Sequence, residues 1–240
     1  MKRSTISLAP MSRIAHIQWK GLVLGSALAI GWLLQGCALA IEPSDILLDI
    51  VTHCVDPAQD NYCSLCRVPR NDAACTAPLD CKKSTEVWAL NDRYAAIRDS
   101  KMCGCPAGFV HGLALPISPV RGVEDPGRPD GIWQFAWDVA VSRIEPESIA
   151  LVVNPQLHRS QNQLHVHLLR LSKDAREQLE KQAVADIGRL EEVWASAARG
   201  AAARGLSDYG VLVVQRAPKD FMVVVTAESP EAAFTEWRCN

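Results

Sequence analysis

Residues 154–170 read Asn154-Pro155-Gln156-Leu157-His158-Arg159-Ser160-Gln161-Asn162-Gln163-Leu164-His165-Val166-His167-Leu168-Leu169-Arg170. Leu164, Val166 and Leu168 alternate with Gln163, His165 and His167. A period of two predicts a strand with one apolar and one polar face. Residues two apart on a strand share a side and lie about 6.5–7 Å apart, so Gln163, His165 and His167 are expected to form a polar row. Ahead of them the chain is rich in donors: Asn154, His158, Arg159, Ser160, Gln161 and Asn162. Donors leading onto a row of imidazoles suit a phosphate, because the donors can hold its oxygens while a neutral imidazole attacks phosphorus or protonates a leaving oxygen. Two other readings stay open. His165 and His167 have a spacing that also suits metal ligands, although no acidic residue or cysteine lies beside them. The other is two histidines on a solvated strand face, a reading that the polar loop beside them weakens.

Outward from this run, strands and helices are mixed. Trp88–Leu90 and Phe109–Leu115 read as short strands, the second ended by Pro116 and a turn-rich loop reaching Pro129. Apolar residues at 132, 133, 135, 136, 139, 140 and 144 have helical spacing, with Pro146 just beyond. Ile149–Val153 is a compact β-branched run stopped by Asn154-Pro155. Asp174 and Glu177 form a capping-box-like start to one long helix with an apolar stripe of Leu179, Ala183, Ile187, Leu190, Trp194 and Ala197, fraying at Gly200–Gly205. Tyr209–Val214 and Phe221–Thr226 pair as a hairpin, and Ser229-Pro230 opens a last short helix. Hairpin-type strands without regular βαβ alternation predict an α+β domain with a mainly antiparallel sheet. There is no internal repeat.

The chain has 240 residues, with 25 Lys plus Arg against 27 Asp plus Glu, a net charge of −2. That balance leaves no basic excess for phosphate neutralisation and excludes a polybasic nucleic-acid binder, and 48% hydrophobic residues exclude wholesale disorder. The charge is uneven. Lys2, Arg3, Arg13 and Lys20 are the charged residues of the first 40, so 21 basic against 27 acidic residues follow, a net of −6. After this basic lead (1–20) the segment Gly21–Ile41 is 21 residues long without one charge, enough to span a bilayer as a helix. It reads as an uncleaved anchor, a signal peptide cut after Ala38-Leu39-Ala40, or a lipid attachment signal at Cys37. Each outcome places residues 42–240 outside the cytoplasm.

Nine cysteines occur, and eight follow the apolar segment: Cys54, Cys63, Cys66, Cys75, Cys81, Cys103, Cys105 and Cys239. An even number in an exported domain reads as disulfides. The competing reading is a Cys₄ zinc site built on Cys63-x-x-Cys66 with Cys75 and Cys81, against which the second pair has the wrong spacing.

Gln163-Leu164-His165-Val166-His167-Leu168-Leu169 resembles the histidine-triad (HIT) signature, in which histidines alternate with apolar residues. The longer run, with Asn154 and with Ser160-Gln161-Asn162 ahead of the triad, resembles the CDP-diacylglycerol pyrophosphatase family of bacterial membrane-bound hydrolases. Supporting matches are Ala114-Leu115-Pro116-Ile117-Ser118, Ile132-Trp133-Gln134-Phe135-Ala136-Trp137, Asp174-Ala175-Arg176-Glu177-Gln178-Leu179 and Ser207-Asp208-Tyr209-Gly210-Val211. The resemblance covers residues 86–226, and the cysteine-rich stretch 60–82 stands out as an insertion. It implies a HIT-like catalytic domain that splits CDP-diacylglycerol, a substrate embedded in inner-membrane lipid, into CMP and phosphatidate, with no cofactor and no nucleic acid. The family's middle histidine is the nucleophile, which falls on His165, and its third, His167, orients and neutralises the phosphate and leaving group. Asn154, Ser160, Gln161, Asn162 and Gln163 are then the expected substrate-binding residues. Gln163 stands where the triad has its first histidine. It can donate a hydrogen bond but cannot carry a proton, and Gln163→His, which restores the family residue, is expected to be tolerated.

If the eight exported cysteines are paired, thiol titration of the denatured, unreduced protein will find almost no free thiol. Four or more reactive thiols with stoichiometric zinc would establish the Cys₄ site instead.

Overall fold

Among the described residues eight strands form one sheet in the order β1-β2-β3-β5-β4-β7-β8-β6, with every neighbouring pair antiparallel. They are β1 (Val87–Leu90), β2 (Tyr94–Arg98), β3 (His111–Pro116), β4 (Ile149–Val153), β5 (Val166–Arg170), β6 (Ala183–Ile187), β7 (Gly210–Ala217) and β8 (Asp220–Thr226). The computed structural model describes residues 44–55 and 85–239. The apolar segment 21–41 and the cysteine-rich stretch 60–82 lie outside the described residues. Among the described residues no helix is long and apolar enough to cross a membrane. The compact unit to which these strands belong spans Ile41–Asn240, and its architecture is the expected α+β type.

Central strands are buried on both faces, which is why Ile149–Val153 is a continuous apolar run without alternation. One face carries Leu151, Val153, Val166, Leu168, Val211 and Val213 against two helices, α2 (Ile132–Ala140) and α4 (Val193–Ala203). Trp133 of α2 meets Trp194 of α4 edge to face at 4.8 Å. The opposite face is divided. At one end Ala150, Val152, Leu212 and Met222 pack on Leu179 of α3 (Ala175–Gln182) and Phe234 of α5 (Pro230–Phe234). At the other, Leu113, Leu115 and Ile97 pack on Leu47 of the short α1 (Ile46–Asp49) and on Ile50 and Val51 of the π turn that continues it. Between these two apolar clusters lies β5, where His167 pairs with Leu113 of β3 on one side and Val152 of β4 on the other. The seam between the clusters is where polar side chains are buried.

The long helix expected from Asp174 onward is broken. Its first turns form α3, but Ala183–Ile187 leaves the helix and pairs with β8, Asp186 opposite Met222 and Ile187 opposite Phe221. The stripe at 179, 183 and 187 fits both periods, and covering the open edge of β8 decides for the strand. Val184 then presses against α4 at Gly200, where a Cβ would stand 2.5 Å from that of Val184. Helix α2 ends at Ala140, four residues short of the expected limit, yet Ile144 still reaches the core through a final turn. β2 had no sequence expectation. The hairpin β7–β8 and the Ser229 cap follow the sequence closely, with Ser229 Oγ accepting from the Ala232 amide.

The polar row is shorter than the alternation implies. Regular pairing of β5 starts at Val166, and Gln163 is turned away into the Pro116–Val120 loop. Its Nε2 donates to the carbonyls of Pro116 and Ser118, and its Oε1 accepts from the Val120 amide. Three backbone groups are met by one buried side chain. Of the cysteines, Cys105 and Cys239 are joined, across 134 residues of sequence, and Cys103 is also disulfide-bonded. Cys63, Cys66, Cys75, Cys81 and the side chain of Cys54 lie outside the described residues.

This geometry reverses the expectation for Gln163→His. An imidazole offers one donor and one acceptor where the loop uses two donors and an acceptor. The substitution will cost about 1–3 kcal/mol, the usual penalty for an orphaned buried group, read as a lowered midpoint in denaturant unfolding. An unchanged midpoint would show that the loop is held by other means.

Candidate active site

His165 precedes β5 and is 8% exposed. Its Nδ1 lies 2.8 Å from the main-chain carbonyl of Gln163. A carbonyl only accepts, so the neutral ring carries its proton on Nδ1 and its lone pair on Nε2. Burial lowers the pKa, outweighing the Gln163 carbonyl and the carboxylates of Glu231 and Asp99, which pull it up. The ring is therefore neutral, with the free lone pair on Nε2.

His167 stands beside it, ring centroids 4.7 Å apart and edge to face. Its Nδ1 is 2.9 Å from Nε2 of His111 on β3, a strand neighbour that the antiparallel register brings alongside. Nδ1 of His111 lies 3.2 Å from the Trp237 carbonyl. That carbonyl places the His111 proton on Nδ1, so Nε2 of His111 accepts from Nδ1–H of His167. Nε2 of His167 then carries a lone pair, and Asn154 Nδ2 lies 3.4 Å from it. Burial holds His167 well below the usual imidazole pKa, with the neighbouring His165, His111 and Lys101 acting in the same direction. Burial also lowers His111, although Asp99 and Glu231 oppose it.

Around the pair sit charges that the sequence pattern did not reveal. Glu231 of α5 is 5% exposed. Its Oε2 accepts from Asn154 Nδ2 at 2.7 Å and its Oε1 from Lys101 Nζ at 2.6 Å. Asp99 Oδ2 is 3.3 Å from His111 Nε2, poised to partner that ring when it takes a second proton. His111, Asp99, Lys101 and Glu231 have no local signal. His111 is one histidine in an apolar strand, and the other three come from a 3-10 turn and a terminal helix that only the fold brings near. Asp99, His111 and His167 are also the described groups that could hold a metal ion, with their ligand atoms within 4.8 Å of one another. A cation there would share its carboxylate surroundings with the Lys101 ammonium.

Of the expected substrate-binding residues, Asn154 is brought to the histidines. The bonds of the others lie elsewhere. Gln161 Oε1 accepts from the Leu47 amide, Asn162 Nδ2 donates to Asp45, and the Ser160 carbonyl accepts from the Ser44 amide. These three fasten the α1 segment to the start of β5, while Gln163 gives the site its carbonyl and its side chain to a loop.

Three imidazoles held by burial below the ordinary histidine pKa make stability depend on pH. The unfolded chain takes up protons at these positions first, as pH falls through about 6.5. Their contribution is thus complete above that value and is lost progressively below it. The melting temperature will hold between pH 8 and 7 and drop between pH 6.5 and 5. A flat profile across that lower window would contradict neutral burial.

A family model for CDP-diacylglycerol pyrophosphatase matches residues 44–200. No curated protein matches the chain in sequence. The matched span carries Asp99, Lys101, His111, Asn154, His165 and His167, and stops inside α4, before Glu231 and Trp237. It covers well over half of the 240 residues, so the chain belongs to the CDP-diacylglycerol pyrophosphatase family and is a hydrolase acting on CDP-diacylglycerol.

Proposed function

We propose that the chain splits the pyrophosphate of CDP-diacylglycerol into CMP and phosphatidate through a phosphohistidine on His165. The observation that carries this reading is the 2.8 Å bond from His165 Nδ1 to the Gln163 carbonyl, which commits the lone pair to Nε2. That pair attacks the cytidylyl phosphorus, forming the N–P bond as the P–O bond breaks, and its electrons leave with phosphatidate. The ring becomes cationic, and its Nδ1–H stays on the carbonyl, which stabilises the new charge. Water then attacks phosphorus, CMP departs, and the N–P electron pair returns to Nε2. Splitting one displacement into two lowers each barrier. His167 and Asn154 stand beside the phosphoryl oxygens, His167 taking the proton that water releases.

In this reading the segment 21–41 tethers the enzyme or directs its export, and the catalytic domain works on the periplasmic side of the inner membrane. A diacyl substrate stays in the bilayer, so a tethered enzyme searches two dimensions. Related nucleoside diphosphate esters are the alternative substrates, and a metal on His165 and His167 is the alternative chemistry.

The test uses CDP-diacylglycerol labelled in the cytidylyl phosphate, quenched rapidly without acid. Protein-bound label will appear in the wild type and vanish in His165→Asn, which also loses turnover. His167→Asn will retain binding and lose about 10²–10⁴ in rate, the range for one acid–base group. Activity will survive exhaustive chelation. Label trapped equally in His165→Asn would remove the nucleophile assignment, and activity lost to EDTA and restored by Zn²⁺ would assign the histidines to a metal.

A further inference from the structure

We propose that Glu231 is a positioning residue that fixes the tautomer of His167, acting through Asn154, so that the carboxy-terminal segment completes the active site. The inference deepens the reading of His165 and His167 given above and rests on it for its catalytic consequence alone.

The argument is one of donors and acceptors. A carboxylate only accepts. Glu231 Oε2, 2.7 Å from the Asn154 amide, therefore requires the NH₂ of that amide, and not its oxygen, to face it. Ser229 Oγ agrees, donating to Asn154 Oδ1 at 2.8 Å while accepting from the Ala232 amide. The second hydrogen of the same NH₂ points at His167 Nε2, 3.4 Å away. His167 must answer with a lone pair on Nε2, and its proton goes to Nδ1, toward His111 Nε2. From the other end the Trp237 carbonyl sets His111 with its proton on Nδ1 and makes the same demand.

Both ends of this chain of hydrogen bonds belong to residues 229–237. That segment is fastened in several places. Cys239 is bonded to Cys105, Lys101 Nζ holds Glu231 Oε1, and Lys101 lies 5.1 Å above the Trp237 ring. The Ser172 amide donates to the Phe234 carbonyl, and the Glu236 amide donates to the Arg170 carbonyl. Glu231 itself is 3.6 Å from His167 Nε2, too far for a hydrogen bond and near enough to favour a proton arriving there. When water attacks phosphorus, Nε2 is the lone pair that receives its proton. In the opposite tautomer that nitrogen would already be occupied.

Replacing the carboxylate by its amide tests the inference. In Glu231→Gln the amide oxygen stays on Lys101 and the NH₂ faces Asn154, whose own amide turns over as Ser229 Oγ changes from donor to acceptor, and an oxygen facing His167 Nε2 draws the proton across the ring. Nitrogen-15 NMR of the imidazoles separates the two tautomers without any substrate. The wild type will show His167 protonated at Nδ1, and Glu231→Gln will show protonation moved to Nε2. In turnover of CDP-diacylglycerol the variant will lose kcat by between about tenfold and about 10⁴-fold, the upper figure being the cost of a wrong imidazole tautomer in a serine-protease triad. KM will be unchanged, since Glu231 touches no substrate, and Glu231→Asp will recover part of kcat. A wild-type His167 protonated at Nε2 overturns the proposal whatever the variant does, including a variant that fails to fold. An unmoved tautomer in a folded Glu231→Gln also overturns it. Failure of the phosphohistidine reading would appear separately, as absence of trapped label with the tautomers as stated.

Discussion

A neutral imidazole buried on a sheet has one hydrogen to give and one lone pair to fill, and neither can be left to water. Three such rings, His111, His165 and His167, lie on the seam between the two apolar clusters of one sheet face. Each nitrogen that is buried needs a partner of the right sense, and that requirement orders much of what surrounds them. The Gln163 carbonyl, the Trp237 carbonyl and the Asn154 amide are three answers to it. The same burial keeps the rings neutral, which is the state a nucleophile needs. Packing and reactivity thus have one cause. His165 differs from the other two in that its Nε2 has no hydrogen-bond partner among the described residues, which is why the proposed attack is placed there.

Buried carboxylates beside buried imidazoles would be costly if uncompensated. Lys101 supplies the compensation at Glu231 and bridges from the turn after β2 to the terminal helix. Asp99 is held differently, accepting from the Lys101 amide. Lys101 thus joins the stretch near position 100 to the helix that carries Glu231, and Asp99 Oδ2, 3.3 Å from His111 Nε2, brings the same stretch to the histidines. The Cys105–Cys239 bond closes the same two segments. Its physical role is then specific: it confines the strip that carries Glu231 and the Trp237 carbonyl next to the rings they orient.

Much of this was legible from local pattern. Ile149–Val153, the β7–β8 hairpin and the Ser229 cap are set by runs, turns and a capping oxygen, all short-range causes. His165, His167 and Asn154 were visible because they sit within fourteen residues of one another. What failed to show was non-local. The sequence Ala183-Val184-Ala185-Asp186-Ile187 suits a helix face as well as an edge strand, and only the open edge of β8 decides. His111 becomes part of the site through the β3–β5 register, which places it opposite Leu169 and one ring from His167. Glu231 arrives from 64 positions beyond His167 on a helix of five residues. No spacing rule reaches that far.

Gln163 shows how a residue type can be lost from a sequence pattern while the main-chain contact made from that position is kept. The run resembles a signature whose first position is a histidine, and glutamine there removes a titratable group. What His165 takes from position 163, however, is the main-chain carbonyl, which every residue has. The side chain is then free for other work, and at this position the work is a loop with two carbonyls and an amide to satisfy. A primary amide fills that need and an imidazole does not. The loop in turn fixes Leu164, whose amide bonds the Val120 carbonyl at 2.7 Å, and so fixes the main chain on either side of the carbonyl that His165 depends on. In the proposed reaction the glutamine would thus support His165 from behind, through backbone geometry, with Nε2 left for the substrate.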